Sequence, residues 1–185
     1  MSLMHCSLLS LGCAFGFTTP SRQGSLTGLW ALKIAQRRLR PEVRSKLLSV
    51  SSARTGPSLV PDAWRFVFLD PGTRDNCRIV TVAAKASSEH PDTVEAFSSA
   101  RSENIAELNV IPQNKLTVDS DKALELGRSS AKLKGARAAE YRLTQPPQGA
   151  EPVWELQFFA GTHESVARLR VGAKTGRIEF INGTT

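Results

Sequence analysis

Apolar residues along this chain change period repeatedly, and the changes come in the same order twice. Leu29, Leu32, Gln36 and Leu39 fall at helical spacing with Ala35 beside them, which predicts a helix that Thr27 can cap and Pro41 limits. Leu47–Ser52 shifts toward alternation. Ala63–Leu69 alternates fully, placing Trp64, Phe66 and Phe68 on one face and Arg65, Val67 and Leu69 on the other. Asp70-Pro-Gly-Thr73 predicts a turn, in which Pro71 fixes φ and Gly72 accepts a positive φ. Arg78–Ala83 reads as the next strand, and 93–98 as a last one after Pro91.

The second pass is cleaner. Asp119-Ser-Asp-Lys122 is a helix-start signal, Ala123, Leu126, Ser130 and Leu133 form the expected inward stripe, and Gly135 is the expected C-cap. Strands follow over Arg137–Leu143, Val153–Phe159, Val166–Gly172 and Arg177–Ile181, with a proline-rich loop at 145–152 and Gly176 in the left-handed place of the last turn. Ala31-Leu-Lys-Ile-Ala35 answers Ala123-Leu-Glu-Leu-Gly127, and Trp64-Arg-Phe-Val-Phe68 answers Trp154-Glu-Leu-Gln-Phe158. Val82-Ala-Ala-Lys85 answers Val171-Gly-Ala-Lys174, and Val94-Glu-Ala-Phe97 answers Ile178-Glu-Phe-Ile181. The offsets run from about 92 down to about 84 residues. The expected fold is therefore α+β in two tandem repeats, 26–98 and 119–185. Each is a helix packed on an antiparallel meander of about four strands. The connector at 99–118 carries Val110, Ile111, Leu116 and Val118, too apolar for a free tether, so it is expected to pack on both modules.

Charge changes this picture at one place. The net charge is +7, and residues 1–60 hold eight basic side chains against the single acid Glu42, while the remainder balances. The excess belongs to the first helix and its exit. It reads either as a solvated helix face or as a surface for an anionic partner, and without aromatic interleaving or a reading motif nucleic acid ranks low. Trp30 sits one step off the helical stripe, so Trp30, Arg37, Arg38 and Arg44 are the candidate partner-binding residues. Trp64 and Trp154 read as core anchors.

Other chemistry is sparse. Cys6, Cys13 and Cys77 show no metal-ligand spacing, and Cys77 reads as a small buried hydrophobe. His5, His90 and His163 lie outside any nucleophile setting, and no glycine-rich phosphate loop is present. No apolar run reaches the length of a membrane span. Residues 1–25, with the short apolar run Leu8–Phe15, read as a tail or an export signal, which favours an extracytoplasmic over a cytoplasmic location. No cofactor, metal site or catalytic constellation is expected, and the oligomeric state stays open.

Three segments together resemble the PepSY family of small α+β domains: Asp119-Ser-Asp-Lys-Ala-Leu124 at a helix start, the Trp154-x-Leu-x-Phe158 strand, and the Val171-Gly-Ala-Lys-Thr-Gly176 hairpin. The family's last turn usually reads Asp-Ala-x-Thr-Gly, and here Gly172 stands in place of the Asp. The first half matches more loosely. The resemblance implies a non-catalytic module that binds or restrains another protein, in some members a peptidase. The competing class is an anion-binding protein that uses the basic first helix on a nucleic acid or membrane surface.

Overall fold

The computed structural model describes residues 25–84, 94–99, 108–129, 133, 135–147, 149–161 and 164–180, with the backbone alone for 94–99 and Phe180. The first 24 residues, and with them the tail or export-signal expectation, lie outside the described residues. So do Cys6, Cys13, His5, His90 and His163.

The chain begins with α1 (Gly28–Arg37) and the single turn α2 (Pro41–Arg44), with Pro41 in the first turn, where its missing N–H costs nothing. Four strands follow: β1 (Leu47–Ser52), β2 (Ala63–Leu69), β3 (Cys77–Ala84) and β4 (Val94–Ser99). A 3-10 turn at Gln113–Lys115 leads into α3 (Ser120–Arg128) and then β5 (Ala138–Thr144), β6 (Val153–Phe159), β7 (Ser165–Gly172) and β8 (Ile178–Phe180). All eight strands form one sheet in the order β4-β3-β2-β1-β5-β6-β7-β8. Every neighbouring pair is antiparallel, so two meanders meet where β1 pairs with β5.

Both long helices lie on the same side of this sheet, α1 over β2 and β3 and α3 over β6. Their buried positions follow one spacing: Gly28, Ala31, Leu32 and Ala35 in α1, and Ser120, Ala123, Leu124 and Gly127 in α3. Both stripes carry small residues where the helices approach large side chains of the sheet. A Cβ on Gly28 would stand 2.7 Å from Trp154 Cη2, and one on Gly127 would stand 2.8 Å from Leu169 Cδ2. The inward stripe of α3 thus differs from the expected one. Ala123 belongs to it, Leu126 is half-buried, Ser130 lies outside the described residues, and Leu133 packs beyond the end of the helix. The helix ends at Ser129, not at Gly135, although Gly135 does take a positive φ of 91°. In α1, likewise, Leu29 and Gln36 are half-buried while Ala31 and Ala35 go fully inside.

Trp64 and Trp154 are completely buried under the helical layer, as expected of core anchors. They meet edge to face at 5.8 Å between centroids, and Tyr141 meets Trp64 at 5.7 Å. Each indole N–H is satisfied just ahead of a helix, Trp64 Nε1 donating to Leu26 O (2.6 Å) and Trp154 Nε1 to Val118 O (2.9 Å).

The N-terminus of α1 departs from the expected cap. Thr27 occupies the N-cap position without a side-chain bond. Instead the Gly28 N–H donates to Ser120 Oγ and the Leu29 N–H to Asp119 Oδ1, both at 2.8 Å. The same Asp119 oxygen accepts from Ser120 N–H at 2.6 Å, so one carboxylate serves the starts of both helices.

Beyond the helices, the described part of the connector, 108–118, bonds to both halves of the chain. The Ile111 N–H donates to Leu47 O, Gln113 reaches Gln36 and Arg44 O, and the Thr117 and Val118 N–H groups donate to Ala173 O. The Asp70 turn forms, but Gly72 does not use a positive φ. The left-handed residue is Asn76 (φ 53°). Cys77 is fully buried, in a small cluster with Leu48, Val67 and Ile79 on the sheet face away from the helices.

Candidate partner-binding surfaces

Two surfaces on opposite sides of the sheet gather the unusual polar groups. The first is the outward side of α1. Positions 30, 33 and 37 share that side by helical geometry, and Trp30 is 45% exposed with Lys33 and Arg37 exposed beside it. Arg38, the C-cap residue, continues the basic strip. Arg44 is turned back, its Nε donating to Leu39 O at 2.9 Å, and it sits on α2 rather than on the α1 crest. Of the four expected residues, then, Trp30 and Arg37 come together, Arg38 borders them, and Arg44 stands apart. Lys33 belongs to the group, as its three-residue spacing from Trp30 could have shown.

Arg40 leaves this basic strip altogether. Its Nη2 bonds the fully buried Asp70 carboxylate at 2.7 Å, and its Nη1 lies 3.3 Å from Glu42. Arg78 Nε holds the other Asp70 oxygen at 2.9 Å. Burial alone would raise the Asp70 carboxyl, but the bonds from Arg78 and the Gly72 N–H, with the nearby Arg40 charge, outweigh it and hold the group below its ordinary value. This cluster pins the helix exit to the β2–β3 turn. It is a structural staple rather than a site.

The second surface is the sheet face away from the helices, over β5–β8. Register aligns Ser51, Arg142, Glu155, Arg170 and Glu179 in one row across five strands. Glu155 accepts from Arg170 Nε at 2.8 Å and from Arg168 Nη2 at 3.2 Å. Although burial raises its carboxyl, those two arginines draw it below the ordinary range. Arg54 pairs with Glu140 at 2.8 Å and lies 3.7 Å over the Phe159 ring. Arg142 is exposed and makes no ion pair among the described residues.

Two shallow hollows flank the Glu155–Arg170 pair. One of about 220 Å³ is bounded by Ser51, Glu140, Arg142 and Arg168, and one of about 380 Å³ by Glu151, Val153, Gly172 and Arg177. Glu151 fastens the last turn from outside it. Its carboxylate accepts from the Lys174 N–H (3.1 Å), the Thr175 N–H (3.0 Å) and Thr175 Oγ1 (2.7 Å), and a Cβ on Gly172 would strike it. Burial pushes this carboxyl up, and those three bonds bring it below the usual value.

A third hollow, of about 180 Å³, lies between the start of α3 and the β1–β2 loop. There Tyr141 donates to Leu59 O at 2.6 Å and holds Leu59 at φ 61°, while burial keeps the phenol protonated far above its ordinary range. Its polar wall mixes Asp121, Glu125 and Arg128, and Arg128 is already bonded to Ser58 O. Among the described residues no group of three or more His, Cys, Asp or Glu is placed to hold a metal ion, and no helix is long and apolar enough to cross a membrane. No family model, curated protein or solved structure matches this chain.

Proposed function

We propose that the chain is a duplicated, PepSY-like α+β protein that acts by binding another protein and carries out no reaction of its own. Two correspondences support the duplication. The buried stripes of α1 and α3 have the same spacing, and each buried tryptophan donates to the carbonyl two residues ahead of its helix. A helix followed by a four-strand meander then describes each half, with β1 and β5 at the join.

The observation that carries the binding function is the row Arg142, Glu155, Arg170 and Glu179 on the open sheet face. Charges of alternating sign, held in register across neighbouring strands, complement another protein surface. They repel a polyanion at every second position. The hollows on either side offer places for partner side chains. The family resemblance points to an envelope-associated or peptidase-restraining role, in which the open face would meet the restrained protein.

The test places a photo-crosslinking residue at Gln157, in the middle of this face, in the chain expressed in its host. The expected outcome is a discrete adduct with one protein, lost when Arg142→Glu is combined with Arg168→Glu. No adduct, or one indifferent to the charge reversals, refutes the assignment. If the adduct is a peptidase, its activity falls as purified chain is added.

A further inference from the structure

The outward side of α1 has a chemistry that is not repeated on α3 among the described residues. Trp30, Lys33, Ile34 and Arg37 occupy positions i, i+3, i+4 and i+7, and the helix contains no acid. Trp30 is nearly half exposed, Ile34 is half-buried, and Lys33, Arg37 and Arg38 are exposed with no ion-pair partner among the described residues. The acids of this region are committed elsewhere, since Glu42 lies against Arg40 and Asp70 is buried between Arg40 and Arg78.

The fold itself does not require this arrangement. On α3, the positions matched by the common inner stripe to Trp30, Lys33 and Arg37 are Lys122, Glu125 and Ser129. Lys122 and Glu125 neutralise each other at 2.8 Å, and no aromatic is present. This comparison rests on the duplicated reading of the chain. It shows two helices with the same buried requirements and opposite outer chemistry.

We propose that the crest of α1 docks flat on the headgroup layer of an anionic bilayer. The Trp30 indole enters the interface, Ile34 follows at its edge, and Lys33, Arg37 and Arg38 lie over lipid phosphates. Three features favour this occupant. The surface is a convex helix side rather than a groove, so it suits a plane better than a bound peptide. An indole is amphipathic and prefers the membrane–water boundary. All the charges are of one sign, and each cation adds its own attraction to an anionic surface. A nucleic acid is favoured less, because a single aromatic gives no stacking platform and a crest of about two turns spans few phosphates. The mixed-sign sheet face lies on the opposite side and stays turned to solvent, free for a protein.

Trp64 and Trp154 are fully buried, so changes in tryptophan emission on adding a ligand report on Trp30. The test titrates the full chain with vesicles of phosphatidylcholine alone and with vesicles containing about 30% phosphatidylglycerol, reading emission and cosedimentation. The expected result is a blue shift and shielding from a soluble quencher with the anionic vesicles only, reversed at about 0.5 M salt. Partitioning is expected to fall about fivefold per cation removed, so Lys33→Glu with Arg37→Glu loses at least about 25-fold. Trp30→Ala weakens it as well, whereas Arg142→Glu on the open face leaves it within about twofold of the parent. All these side chains are exposed, and an unchanged thermal midpoint confirms folding. Equal partitioning to both vesicle types, indifference to the Trp30 and charge variants, or tighter binding to a duplex DNA than to the anionic vesicles overturns the proposal. Loss of vesicle binding with the Gln157 adduct intact would refute this docking and leave the protein-binding reading standing.

Discussion

Asp70 is the residue on which the first half turns, and its ionisation sets a pH limit. Its folded carboxyl ionises below the unfolded value of about 3.9, so the stability it contributes is fully present above that value and is lost as pH falls through the lower, folded one. Asp70→Asn is expected to cost about 2 kcal/mol at neutral pH, because a buried acceptor of two arginines loses its charge. The variant's stability should then fall less steeply than the parent's on acidification, as read by urea unfolding across that range. Equal acid limbs in the two proteins would refute this role. None of it was legible from the sequence, where Asp70 is read as a turn residue. Arg40, Asp70 and Arg78 are brought together by the fold and by no local pattern. The alternation of β2 was legible, because a sheet with one helix-covered face imposes period two on every strand it buries. The partial exposure of Trp30 was legible as well, although the stripe itself is shifted from the expected one, with Ala31 and Ala35 inside.

At the scale of elements, each helix start depends on the other half. The sequence marks Asp119 as opening α3, and it does so, but its carboxylate also takes the Leu29 N–H of α1. Asp119→Ala should cost about 1 kcal/mol, the usual worth of a cap. The distinguishing measurement is hydrogen exchange at Leu29. Faster exchange there is expected, whereas a cap that served α3 alone would leave the Leu29 amide unchanged. A local reading assigns this cap to Thr27, since it sees the residue beside the helix and not the acid that folding delivers. The end of α3 was misplaced for a related reason. Gly135 has the left-handed backbone of a C-cap, yet the helix closes a turn and a half earlier at Ser129, whose N–H bonds Glu125 O and whose Oγ donates to Leu126 O.

At the scale of the whole molecule, the shared cap, the β1–β5 pairing and the Trp64–Trp154 contact all cross between the two meanders. The chain should therefore unfold in one step. Trp154→Ala is expected to cost about 4 kcal/mol and to lower a single transition, with backbone and fluorescence signals coincident. Two separated transitions, with only one moved by the substitution, would show halves that fold independently. The sheet is also unequal across its open side, apolar around Val67 and Cys77 and charged over β5–β8. Glu151 adds to that inequality. With the hairpin amides held by a carboxylate from the loop before β6, position 172 is left as glycine, and the broad hollow beside Arg170 stays unfilled. A carboxylate from a neighbouring loop thus fastens this turn from outside it, and the outer wall beside it keeps a hollow whose filling would leave the hairpin's own bonds in place.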